Sequence, residues 1–145
     1  MKISLVAILT LTAIIAGCAS TRLSDADELA MYRAHAGEPV RDFHYFGSLN
    51  GWQPLGDRAL AVWTRPNQAY LLQLMGPCND LDFALAISIT NSMGEVSSRF
   101  DQVEVHGGSG IHMPCRIEEI RPLDVKGLKK AQSELRKADA VQRKE

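Results

Sequence analysis

The chain has 145 residues, with 16 Lys and Arg against 17 Asp and Glu and a formal net charge of −1. That near-neutral balance lacks the electrostatic footprint of a nucleic-acid binder, and the length suits one domain. Hydrophobic residues make up 46% of the sequence, but the longest apolar run sits at the very start.

Residues 3–17, ISLVAILTLTAIIAG, follow Met1-Lys2, and no further charge occurs before Arg22. As a helix the run would span about 22 Å at 1.5 Å per residue, short against a hydrocarbon core of about 30 Å. A positive start, an apolar stretch of this size and a small-residue end describe a secretory signal. A short buried helix would fit the run less well, because Ser4, Thr10 and Thr12 are too few to make a polar face. The run ends in Ile15-Ala16-Gly17-Cys18, which resembles the lipobox of bacterial lipoproteins. The resemblance implies cleavage before Cys18, a diacylglycerol thioether on its thiol and acylation of the new amino group. Two or more acyl chains hold stably where one binds only marginally. Ala19 stands where an aspartate would favour inner-membrane retention, so the expected location is the cell envelope: the inner leaflet of the outer membrane, facing the periplasm.

There are three cysteines. With Cys18 lipidated, Cys78 and Cys115 remain as an even pair in a compartment where disulfides persist. A bridge between them is the expectation, and two free buried thiols are the alternative. Removing residues 1–17 leaves 128, with 15 basic and 17 acidic side chains.

Residues 18–39 carry the lipidated cysteine and a polar stretch with no sustained apolar face, read as a tether. Ser24 could nonetheless cap a short helix through Arg33, with acids in its first turn. Residues 40–123 read as a β-rich domain. Arg58–Thr64 and Gln68–Met75 form a hairpin across Arg65-Pro66-Asn67, with Tyr70, Leu72 and Leu74 on one face. After Cys78, Asn79 or Asp80 is placed to cap a single turn. Residues 84–90 alternate, putting Leu85, Ile87 and Ile89 inward; residues 100–106 alternate from Gln102 on; and Cys115–Arg121 is the last strand, closed by Pro122. The fold expectation is α+β, mainly β: a small antiparallel sheet or partial barrel of five to six strands with a C-terminal helix. That helix falls in residues 124–145, where Leu128, Ala131, Leu135, Ala138 and Val141 make a thin stripe at helical spacing. The segment is basic, with seven Lys or Arg against four Asp or Glu. It reads as a solvated helix, or as one that binds an anionic surface or partner.

Chemistry is sparse. His106, His112, Met113 and Cys115 cluster around a glycine loop, a donor set suited to a soft or borderline metal. Their spacing lacks the paired CxxC or HxxxH of a strong site, so incidental histidines on a loop are expected and no cofactor is. A thiol nucleophile with His106 or His112 as base requires a free cysteine. Asp80, Asp82, Asp101 and Glu104 sit near strand ends and read as solubilising, and Trp52, Trp63 and Tyr70 read as core.

The order Trp52-x-x-Leu55, Leu60-x-Val62-Trp63, Tyr70-Leu71-Leu72-x-Leu74, Cys78-x-x-Leu81, Phe100-Asp101-x-Val103 and Cys115-x-Ile117 resembles a family of small proteobacterial lipoproteins of unknown function, over roughly residues 40 to 123. The resemblance implies pairing of Cys78 with Cys115 and supplies no activity. The functional expectation is a non-enzymatic, lipid-anchored envelope protein. It would contact the membrane through its N-terminal lipid and play a structural or binding role toward an envelope-protein or cell-wall partner. The alternative is a periplasmic metal or small-ligand binder using the 106–115 loop.

Overall fold

A computed structural model describes residues 23–107, 110–111 and 113–144. The expectations for the signal segment and for Cys18 lie outside the described residues. In chain order the elements are α1 (Asp25–Ala34), β1 (Asp42–His44), β2 (Gly51–Pro54), β3 (Ala59–Arg65), β4 (Gln68–Leu74), a 3-10 turn (Leu81–Phe83), β5 (Ala86–Ile89), β6 (Glu95–Ser97), β7 (Gln102–His106), β8 (Cys115–Leu123) and α2 (Val125–Gln142). Six strands form one antiparallel sheet in the order β2-β3-β4-β8-β7-β5, and β1 pairs with β6 as a separate two-stranded ribbon. The sheet is mainly as expected and does not close into a barrel.

The β3–β4 hairpin forms one half of the sheet with β2, and β4 meets β8 at its centre. Pro66-Asn67 leaves two residues between Arg65 and its partner Gln68, a loop length that brings strands directly back on themselves. β8 is the long strand that joins the two halves. Its residues from Ile117 on pair with β4, while Cys115 and Arg116 pair with β7. A bulge at Glu118, where Gln73 faces Glu119 and Leu74 faces Ile117, adds local twist and bend. Side chains from both halves thereby meet in one core: Leu60, Val62, Leu72 and Leu74 from the hairpin, with Ile89, Val103 and Val105 from β5 and β7. Phe43 of β1 and Val96 of β6 close that core from above, Phe43 stacking on Tyr70 at 4.5 Å. As expected, Tyr70, Leu72 and Leu74 share this face.

The opposite face of the hairpin is lined by smaller side chains, Ala59, Ala61 and Ala69 with Leu71. Small residues let helices approach closely, and both α1 and α2 lie here. Tyr32, Val125 and Leu128 are buried against the alanines, with Tyr32 edge-on to Trp63 at 6.4 Å. The helices run antiparallel. His35 at the end of α1 accepts from Asp124 N at 2.8 Å beside the start of α2, whereas Leu23 and Asp27 share a groove with Glu134, Leu135 and Ala138.

Three expectations need correction. Residues 24–39 are not simply a tether. Ser24 caps α1 by accepting from Asp27 N at 3.2 Å, and Tyr32 is fully buried. Past α1, Gly37 N and Val40 N each donate to β8, to Pro122 O and Ile120 O, at 2.8 Å. Leu85 does not point inward. It precedes β5, is 84% exposed, and lies over Gly107, whose φ of 98° and missing Cβ make room for it. The last strand is not closed by Pro122 but runs to Leu123. Proline lacks an N–H to give, yet its carbonyl still serves the neighbouring chain. The main sheet itself has six strands, within the expected five to six, and β1 and β6 add the separate two-stranded ribbon.

Candidate functional site

The two expected bridge cysteines do meet. Cys78 and Cys115 form a disulfide with Cα atoms 5.6 Å apart, tying the segment after β4 to the first residue of β8. Cys78 is buried in the larger core and its N–H donates to Asp57 O at 2.7 Å. The thiolate option is thereby removed: Cys115 is neither a free nucleophile nor a metal ligand.

Of the remaining members of the 106–115 cluster, His106 and Met113 fall within the described residues. His112 lies outside the described residues. Met113 is 78% exposed. His106 is exposed on β7, and its Nε2 lies 2.7 Å from Ser88 Oγ on β5. Among the described residues no group of three or more His, Cys, Asp or Glu is placed to hold a metal ion.

Ser88 was not singled out by sequence, because its partners come from another strand. Register places Ser88 opposite Glu104 and Ala86 opposite His106, so Ser88, Glu104 and His106 share the outer face. The arrangement superficially resembles a nucleophile–base–acid set. Its wiring is different: Ser88 Oγ donates to Glu104 Oε2 at 2.9 Å, so the carboxylate engages the serine and not the far nitrogen of the imidazole. A triad needs the acid on that nitrogen to fix the tautomer. With its hydroxyl proton given to Glu104, Ser88 accepts from His106, and the three form a cross-strand polar ladder.

The acids near strand ends divide. Asp101 is buried rather than solubilising. Its carboxylate accepts from Ser97 N at 2.7 Å and from Thr90 Oγ1 at 2.8 Å, which closes the turn before β7. Asp82 is exposed, and its pKa is raised by partial desolvation and by the charges of Asp25 and Asp57.

Two of the clefts that flank the helix layer differ in the polarity of their linings. One, of about 340 Å³, is lined by Arg33, Leu71, Gln73, Glu119 and Arg121. Both arginines are engaged there: Arg33 Nη2 donates to Gln73 Oε1 at 3.0 Å, and Arg121 Nε to Glu119 Oε1 at 2.5 Å. The other, of about 550 Å³, is the α1–α2 groove, with Leu23, Met31, Leu135 and Ala138 as its apolar lining. A third cleft, of about 440 Å³, is lined in part by Glu28, Gln53 and Gln132, and a chain of hydrogen bonds absent from any sequence pattern runs through these residues and Tyr32. Gln132 donates to Tyr32 Oη at 3.3 Å, Tyr32 to Gln53 at 3.0 Å, and Gln53 in turn to Glu28. Burial, with the Glu28 charge second, pushes the Tyr32 phenol up to about 12, although the Gln132 contact opposes this.

These features describe a small disulfide-bonded β domain backed by two helices. The chain belongs to a family of unknown function, DUF6491, whose match covers residues 1–139. Comparison with curated proteins and with solved structures found no match.

Proposed function

We propose that this protein is a lipid-anchored, non-enzymatic domain of the cell envelope, held by Cys18 and serving a structural or partner-binding role. The observation that carries the reading is the Cys78–Cys115 disulfide. It leaves Cys18 as the odd cysteine, directly after the Ile15-Ala16-Gly17 stretch that lipid attachment would use. A disulfide also fits an oxidising compartment. Among the described residues, no helix is long and apolar enough to cross a membrane, and an anchor of acyl chains needs none. The Ser88–Glu104–His106 ladder supports a non-enzymatic role, since its acid is bonded to the wrong partner for general-base catalysis.

The test is the fate of a Cys18→Ala variant expressed in a Gram-negative host. The wild-type chain is expected in the membrane fraction as a shortened, detergent-extractable species. The variant is expected to accumulate at precursor length. Normal shortening and membrane recovery of the variant would refute the anchor.

A further inference from the structure

Three basic doublets recur every seven residues along α2 and its C-cap: Lys129-Lys130, Arg136-Lys137 and Arg143-Lys144. At about 100° per residue, these six and Lys126 fall within a sector of about 140°, and all seven are exposed. Glu134 and Asp139 lie outside the sector, one on each side. The sector points away from Leu128, which is buried against the sheet. Lys129 Nζ also reaches Pro66 O, at 3.5 Å. The protein as a whole is near neutral, so this face segregates its positive charge.

Its position matters as much as its sign. Both helices cover the same face of the sheet, and the antiparallel packing sets the C-terminal half of α2 beside Leu23. Cys18 precedes Leu23 by five residues, which reach at most about 18 Å however they run. A lipid on Cys18 thus holds the helix layer, and the basic sector with it, close to a bilayer surface. The apolar stripe of Leu128, Ala131 and Leu135 lies on the opposite side of α2. Cover fades along the helix from Leu128, fully buried, through Leu135, 38% exposed, to Val141, 62% exposed. Asp25 and Asp27 also sit at this end, so the attraction is carried by α2.

We infer that α2 is a second membrane contact: its basic sector lies on the anionic headgroups of the bilayer that anchors Cys18, turning the curled core of the sheet away from the membrane. An acyl anchor combined with a polybasic face is a known route to stable attachment, and here the second element would fix orientation as well. The inference rests on the anchoring reading above.

The test uses the full lipidated chain in vesicles of phosphatidylethanolamine with about one quarter phosphatidylglycerol. With Cys18 acylated and Cys78 bonded to Cys115, a single introduced cysteine takes a fluorophore. One site is Ala140, exposed in the middle of the sector; the control is Met93, exposed in the turn before β6 on the other side of the sheet. A nitroxide lipid should quench the Ala140→Cys label several-fold more than the Met93→Cys label. Lys130→Glu with Lys137→Glu, or vesicles of phosphatidylcholine alone, should bring the two together. Equal quenching at both sites in the anionic vesicles overturns the inference, as does quenching at 140 that ignores charge reversal. A shielded label accompanied by a dimer mass overturns it in favour of a second copy on this face. Vesicles that float with protein but leave Ala140→Cys unquenched reject the helix contact alone, whereas failure to float rejects the anchor and the contact together.

Discussion

The two faces of the β3–β4 hairpin are built from the same seven-residue strands and differ in almost everything else. On one, Leu60, Val62, Leu72 and Leu74 fill a core that the sheet closes largely by bending over itself, with the β1–β6 ribbon on top. On the other, Ala59, Ala61 and Ala69 leave room that only helices fill, and the contact there is partly polar, through Tyr32, Gln53 and Gln132. The large-residue face holds the larger of the two buried clusters. The small-residue face carries both helices, with Leu23 beside the second half of α2 and the exposed cations of α2 turned away from the sheet.

The sharpest way to break the first face is to remove its covalent link. Cys78 belongs to that core, and the bridge closes a separation of 37 residues. On the chain-entropy model its loss costs about 4 kcal/mol, and denaturant unfolding of Cys78→Ala with Cys115→Ala at pH 7 should show a drop of that order. Next come two substitutions on adjacent strands that probe the faces separately. Leu72→Ala empties a fully buried site and should cost about 3 kcal/mol. Ala61→Leu, opposite in sense, overfills the helix side and should cost about 1–3 kcal/mol. Limited proteolysis should cut α2 first in Ala61→Leu and not in Leu72→Ala; equal helix release in both would erase the distinction drawn between the faces.

The smallest effect is a pH dependence confined to the helix side. Tyr32 has its folded pKa raised from 10.0 to about 12, so the folded state holds the phenolic proton more tightly than the unfolded chain. The stability this represents is fully present below pH 10 and is lost as pH rises toward 12. Tyr32→Phe should lower the urea midpoint modestly at pH 7, because Gln53 and Gln132 lose a partner. The gap from wild type should then narrow between pH 10 and 12. A gap that widens with alkalinity would contradict the assignment.

The same contrast explains what was legible in sequence. The hairpin, β5, β7 and β8 are visible because alternation or a β-rich run between turn residues marks them. β1, β2 and β6 have three or four residues each, too few for a period to show, and are defined by partners distant in the chain, such as Phe43 opposite Val96. In α1 the Ser24 cap and the acids of the first turn are readable, but no apolar face is. The helix buries Tyr32 alone, so there is no apolar stripe to find. Leu85 misled because the alternation of 84–90 continues in sequence one residue before the ladder begins. Of the candidate site, the cysteine pairing followed from counting and compartment. Ser88, Glu104 and His106 come together through register between two strands, which no single segment records.

The central claim is that Cys18 carries the anchor while Cys78 and Cys115 are bonded. Intact mass of the membrane-extracted protein, before and after reduction, tests it most directly. The expected result is the mass of residues 18–145 plus a diacylglyceryl group and an acyl chain, rising by two hydrogens on reduction, with no thiol alkylated beforehand. An unmodified chain of 1–145, or free thiols in the native protein, would contradict it.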